Sequence, residues 1–428
     1  MKIIYNKIIF FCLFSFFLYS ANCFAQITYE NKIIWPTIHS LELTPENWPL
    51  SYPIIHLNSD EKLKLSFDDL DSTQTVKHFS YTLIHCTQNW QPSDLLKMDY
   101  IEGFEDQQIN NHEFSQNTFC KYINYSVIFP NDDIKITKSG NYALVVLNSD
   151  NTEDTVLINR FWVSEKNALI NGSVKRASIP AESNLSQEVD FEVNYFENQD
   201  KIYPDKISTV LIQNERFDIS VTFSSPKYLN QNKLIYDFED ANIFKGGNEF
   251  KYFDIKNVRF KADRTDSIYF SANRYHFVLY PDNNQYRHIY SYHQDLNGRR
   301  LIKLENNDFS SIEADYILVH FKLFVPKFIT DKQVYIAGAL TNWQYTNLNE
   351  MKYNSLTKCY ELNLLLKQGY YNYQYLVYNP ISKQLDAAST EGNFVETENN
   401  YLILVYFNDL KKRYHRILAY KIINSLNR

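Results

Sequence analysis

His85 and Cys86 stand side by side, the residue types that a thiol nucleophile and its base require. They follow Phe79, Tyr81 and Leu83, which alternate as in a strand. Neighbouring strand residues point to opposite faces, so the two side chains are not expected to meet. His288 and His293 bracket a tyrosine-rich run, with Asp295 close by. Their odd spacing also puts them on opposite faces, and zinc needs three or four converging ligands. Asp68, Asp69 and Asp71 could offer oxygens to calcium, but at a spacing that matches no known loop. Asp68-Asp69, Asp132-Asp133 and Glu239-Asp240 read as solvated turn acids. No Gly-x-Ser-x-Gly, His-Glu-x-x-His or glycine-rich phosphate loop occurs, and the chain has only 9 glycines. No catalytic residue, metal site or cofactor is expected.

The aromatic residues carry more information. Asn342-Trp343 follows Gly338 on a loop between two strand-like runs. After it, Leu362, Leu364 and Leu366 alternate with Asn363, Leu365 and Lys367, and Tyr370, Tyr371, Tyr373 and Tyr375 follow the turn Gln368-Gly369. Trp343 is either a ligand platform or part of a scaffold that binds another protein. Trp90 and Pro92 open a long irregular stretch, residues 87–119, and long loops in compact domains are often functional. Trp90 either closes the end of a sandwich core or touches a partner. Tyrosine is enriched in interfaces, so Tyr371 and Tyr373 join Trp90, Pro92 and Trp343 as candidate partner contacts.

These side chains must be held by β-structure. The 428 residues contain 34 Tyr and 30 Phe, which favour strands, and predict several domains. Residues 1–25 read as a cleaved secretory signal, with Lys2 and Lys7 before an apolar run too short to span a bilayer. No later segment approaches ~20 uninterrupted apolar residues, so no membrane insertion is expected. The formal charge is −7, and losing the two signal lysines makes it more negative. Such a chain has no electrostatic reason to bind nucleic acid or anionic lipid. Cys86, Cys120 and Cys359 remain after the signal, an odd number that argues against a disulfide framework. Cys86 and Cys120 either pair or stay as buried thiols.

Strand-like runs recur about every ten residues with turn signals between them, which indicates sandwiches. The expected units are residues 26–168, 169–311 and 312–428. The first contains Leu63-Leu65-Phe67 and Tyr125-Val127-Phe129, and the second Val189-Phe191-Val193-Tyr195. The third contains residues 316–325, 334–378 and 401–407. Residues 413–424 read as a final strand or short helix. The fold class is therefore all-β, with tandem β-sandwich domains.

Several signatures in order resemble the plug protein family of the type IX secretion system of Bacteroidota. They are His85-Cys86 with Asn89-Trp90-Gln91-Pro92-Ser93, then Gly247-Asn248-Glu249-Phe250 and Asp295-Leu296-Asn297-Gly298, then Leu365-Leu366-Lys367-Gln368-Gly369-Tyr370-Tyr371-Asn372-Tyr373 and Thr397-Glu398-Asn399-Asn400-Tyr401. The resemblance covers nearly the whole mature chain. It implies a non-enzymatic periplasmic protein that binds and occludes the periplasmic mouth of a very large outer-membrane translocon barrel. Near the C-terminus, Leu418-Ala419-Tyr420 stands where family members tend to have a polar residue and glycine before the tyrosine. The third unit is also similar to immunoglobulin-like, early-set domains of the glycogen-binding type, through Gly338-Ala339-Leu340-Thr341-Asn342-Trp343. That likeness implies an alternative function, periplasmic glucan binding at Trp343. The second tryptophan of sugar-binding members falls near Leu385 here, and a single platform is usually too little, so no small-molecule ligand is expected.

Overall fold

The computed structural model describes residues 27–196, 201–283, 289–305 and 309–426. The expected signal segment with Cys12 and Cys23 lies outside the described residues, as does His288.

Three β-sandwiches are formed. In the first, one sheet runs in the order Lys32–Ile33, Asn151–Ser164, Gly140–Asn148, Phe79–Cys86, Asp106–Gln108, with Ile54–His56 also paired to Asn151–Ser164. The other runs Ile38–Pro45, Leu63–Asp69, Ile123–Phe129, Asn111–Phe114. Alternation decides the inward face: Leu63, Leu65 and Phe67 are buried while Lys64 is exposed. Within one sheet Phe67 stacks on its cross-strand neighbour Tyr125 at 5.4 Å, and across the gap Phe79 meets the Tyr125 ring edge-on at 4.9 Å. Burying each such side chain stabilises the fold by about 1.5–3 kcal/mol.

The second sandwich opposes Ala168–Arg176, Ser186–Tyr195, Lys233–Tyr236 and Tyr228–Asn230 to Val221–Phe223, Ile207–Gln213, Asn400–Asp409 and Tyr414–Asn424. The third opposes Lys251–Asp254, Gly369–Asn379 and Arg300–Ile302 to Thr265–Ser271, Arg274–Leu279, Tyr316–Phe324, Cys359–Lys367 and Lys352–Asn354. Gln333–Ala337 and Gln384–Asp386 also pair with Gly369–Asn379.

The sheets cross the expected boundary at 311/312. Strands from residues 251–302 belong to the third sandwich. Residues 400–424 return to the second, where Ile207↔Phe407 through Gln213↔Tyr401 are in antiparallel register. The third sandwich is thus inserted between strands of the second. Alternation shows that a strand is half-buried; it does not say which strand lies beside it. The C-terminal segment, expected as strand or helix, is the strand Tyr414–Asn424.

The sandwiches are joined by packed contacts. Tyr52, Ile54 and Trp162 of the first share an apolar cluster with Ile212, Leu402, Leu404, Tyr406 and Ile417 of the second. Between the first and third lies a buried polar knot. One Asp68 carboxylate oxygen accepts from Tyr316 Oη and Lys367 Nζ, both at 2.6 Å, and the other from Asn124 Nδ2 at 2.7 Å. Lys367 also donates to the Ser311 carbonyl at 2.6 Å and lies 4.3 Å from the Tyr122 ring centre. This corrects the reading of Asp68-Asp69 as solvated turn acids: both are buried at the end of Leu63–Asp69. Asp69 is paired with Lys77 at 2.7 Å.

Removing one partner of a buried ion pair leaves an uncompensated charge. Lys367→Met is therefore expected to lower the unfolding free energy by about 3–5 kcal/mol. Chemical denaturation measures it, and adding Asp68→Asn should recover part of the loss.

Candidate functional site

The groups that could do chemistry are each committed elsewhere. His85 Nδ1 lies 2.8 Å from Ser93 Oγ, and Nε2 lies 3.1 Å from the Ser139 carbonyl. A carbonyl can only accept, so Nε2 carries the proton and Nδ1 accepts from Ser93. Burial pushes this imidazole down to about 4. Cys86 packs on the opposite face with Ala143 and Val145, and burial pushes its thiol up to about 12. A neutral imidazole facing away from a protonated thiol is not a nucleophile–base pair. Cys86, Cys120 and Cys359 are all free thiols.

Asp68, Asp69 and Asp71 do not converge: Asp71 joins Asp69 on Lys77, at 2.9 Å, while Asp68 turns to Lys367. Among the described residues, Glu188, Asp190 and Asp237 are close enough together to hold a metal ion. Lys175 Nζ stands among them, 2.6 Å from Asp190 and 3.2 Å from Glu188, and supplies the positive charge itself. His293 Nε2 lies 2.9 Å from the Phe250 carbonyl. Asp295 accepts from the Phe250 amide at 2.5 Å and the Asn297 amide at 2.6 Å.

Burial raises the Asp295 carboxyl to about 7, and the carboxylates of Glu249 and Glu398 add to the effect. The two backbone donors oppose it. The folded state therefore holds a proton that the unfolded chain releases near pH 4. Stability from this group is full below pH 4 and falls as pH rises to about 7. The slope for one proton is at most about 1.4 kcal/mol per pH unit. Asp295→Asn should flatten the decline between pH 4 and 7, read from urea midpoints across that range.

Of the five candidate contact residues, two are misplaced by the sequence reading. Tyr371 and Tyr373 are 1% and 0% exposed and belong to the third core. The strand Gly369–Asn379 is covered on both faces, so neither alternate reaches solvent. Tyr373 and Tyr375 donate instead to the Asp282 carboxylate at 2.7 and 2.6 Å. Trp343 is half-buried, in a left-handed turn with Asn342. Its indole lies against Gly298, where a Cβ would come within 2.7 Å of the ring. Gly298 also has φ +82°, so glycine is required there on two counts. The edge of Phe250 packs against the indole at 6.1 Å. Leu385 lines a different cavity from Trp343, so the two platform positions of a sugar site do not form one surface.

Trp90 is half-buried between the first and second sandwiches. It meets Trp162 edge-on at 5.5 Å, with the Arg160 guanidinium 4.4 Å from its ring centre. Pro92 is exposed just beyond it. The sequence reading missed what comes next. A helical turn, Lys97–Tyr100, is anchored by buried Tyr100 and by the Asp99 carboxylate, which accepts from the Leu96 amide at 2.9 Å. The turn holds Leu96 and Met98 outward, 65% and 75% exposed, and Phe104 follows at 67%. Gly103 brings this loop against the Asp133 carbonyl, where a Cβ would lie 2.2 Å away. The available signal was apolar residues in an otherwise polar loop. Apolar residues held outward on an anchored loop are candidates for contact with another protein.

Fold and site define a multi-sandwich β protein whose exposed features suit protein contact. Residues 38–165, most of the first sandwich, match the family model described as Type 9 secretion system plug protein 1st domain. The chain is also similar to the crystal structure of a hypothetical protein from Parabacteroides merdae ATCC 43184, with 30% identity and a TM-score of 0.89, over 93% of this chain and 100% of that one. The chain belongs to the family of that protein. No curated protein matches it. No helix among the described residues is long and apolar enough to cross a membrane.

Proposed function

We propose that this protein is a non-enzymatic periplasmic plug of type IX secretion. It binds the periplasmic opening of the outer-membrane translocon barrel and occludes it. The observation that carries this reading is the plug first-domain match over residues 38–165, the sandwich that also presents Pro92, Leu96, Met98 and Phe104.

Occlusion requires a body that does not deform under the contact. The apolar cluster around Trp162 and the buried Asp68–Lys367 pair join the three sandwiches, which favours such a body. Docking needs area and shape match, on the order of 1,000 Å² or more for a stable contact. The exposed apolar residues of the first-sandwich loop serve as anchors, and Trp90 braces the loop from behind.

Affinity isolation of the tagged full chain from a periplasm-plus-membrane extract of its own host is the test. Recovery of a very large outer-membrane barrel is expected. The triple variant Leu96→Asp, Met98→Asp, Phe104→Asp should cut that recovery by about tenfold or more, with its melting temperature unchanged. Recovery of soluble glycans or enzymes alone overturns the proposal.

A further inference from the structure

A cavity of about 420 Å³ lies between the second and third sandwiches, away from the first-sandwich loop. We propose that it binds a short extended peptide carrying a carboxylate, a binding function beyond the plug reading.

Gln374 is the first reason. It lies in Gly369–Asn379, is only 8% exposed, and lines the cavity. Its side-chain amide has no hydrogen-bond partner among the described residues. The amide is therefore open to the cavity and free to take a ligand as its partner. A peptide group presents one N–H and one C=O in a plane, and a carboxamide can pair with both.

The second reason is the backbone on either side. Among the described residues, Ile243–Lys245 of the second sandwich pairs only with Ser186–Tyr195, and Gln384–Asp386 of the third only with Gly369–Asn379. All six residues of these two strands line the cavity. Each strand has one edge that no other described strand pairs with, and on Ile243–Lys245 the Lys245 carbonyl is already taken by Gln213 Nε2 at 3.0 Å, which leaves Ile243; an extended chain adds to such edges through main-chain hydrogen bonds. Ile219, Val221, Phe244 and Leu385 supply apolar walls for side chains. Beside them Gly247, at φ +69°, has open space where a Cβ would sit, so a ligand can approach its backbone.

Charge narrows the class. Arg216 is held by Asp218 through hydrogen bonds of 2.8 and 2.6 Å, and Lys245 faces Asp386 at 3.5 Å. Lys383 lines the same cavity with no acidic partner among the described residues. The lining therefore carries one uncompensated positive charge, which a ligand carboxylate neutralises. A sugar fits less well, because the tryptophan that would stack on it faces Gly298 instead.

The test is fluorescence anisotropy with fluorescein-labelled positional-scanning hexapeptide pools, titrated against the full chain. Pools with fixed Asp or Glu should bind best. Gln374→Leu and Lys383→Glu should each weaken that binding by about tenfold. Lys383 is exposed, so its variant keeps the test intact if the buried one misfolds. The proposal is overturned if no pool saturates below about 1 mM, if both variants bind as the parent does, or if maltoheptaose displaces the peptide and binds in a Gln374-dependent way. Failed barrel recovery with intact peptide binding counts against the docking reading alone.

Discussion

A strand with two buried faces has no solvent side toward which to slip its register. Asn400–Asp409 is such a strand. Tyr401, Ile403, Val405 and Phe407 fill the second core, while Leu402, Leu404 and Tyr406 pack outward against Ile54 and Trp162 of the first sandwich. It therefore closes one sandwich and fastens it to another. It also returns the chain after the third sandwich has been inserted, so that insertion is bounded at both ends by pairing with Ile207–Gln213 and Tyr414–Asn424. The first and second sandwiches both bury part of this strand.

The polar contacts between sandwiches work differently. Apolar packing around Trp162 is non-directional and accounts for the adhesion. The knot of Asp68, Lys367, Tyr316 and Asn124 contributes geometry, because each donor must meet one carboxylate oxygen. Buried ion pairs are weak sources of net stability but strong constraints on alignment. Glu165 has the same part between the first and second sandwiches, accepting from Arg416 at 2.9 and 2.7 Å and from Ser139 at 2.6 Å. The result suits a protein whose work is to hold a shape against another surface.

On the proposed reading, function follows from what the loops leave exposed. His85, Cys86, Asp68 and Asp295 have the side chains for chemistry, yet each is satisfied by a backbone or side-chain partner. The exposed residues Leu96, Met98 and Phe104 have no chemistry but lie on a loop held at Tyr100 and Gly103. Gln374 differs from these, with a largely buried side chain whose amide opens onto a cavity.

Much of this was legible in the residues. Two-residue alternation at Leu63-Leu65-Phe67 and Val189-Phe191-Val193 marked half-buried strands, and thereby the all-β class. Adjacency within a strand is enough to separate His85 from Cys86, because neighbours face opposite ways. Strand partners were not legible, because a period of two carries no address: residues 400–424 read as part of the third unit and lie in the second. Tyr371 and Tyr373 show the same limit from the other side. Alternation allows one face of a strand to be wet, and only the tertiary structure revealed that Gly369–Asn379 is covered on both. Local physics determined which residues form strands and which cannot react. The pairing of distant strands decided which faces remained for water, and so which residues remained for a partner.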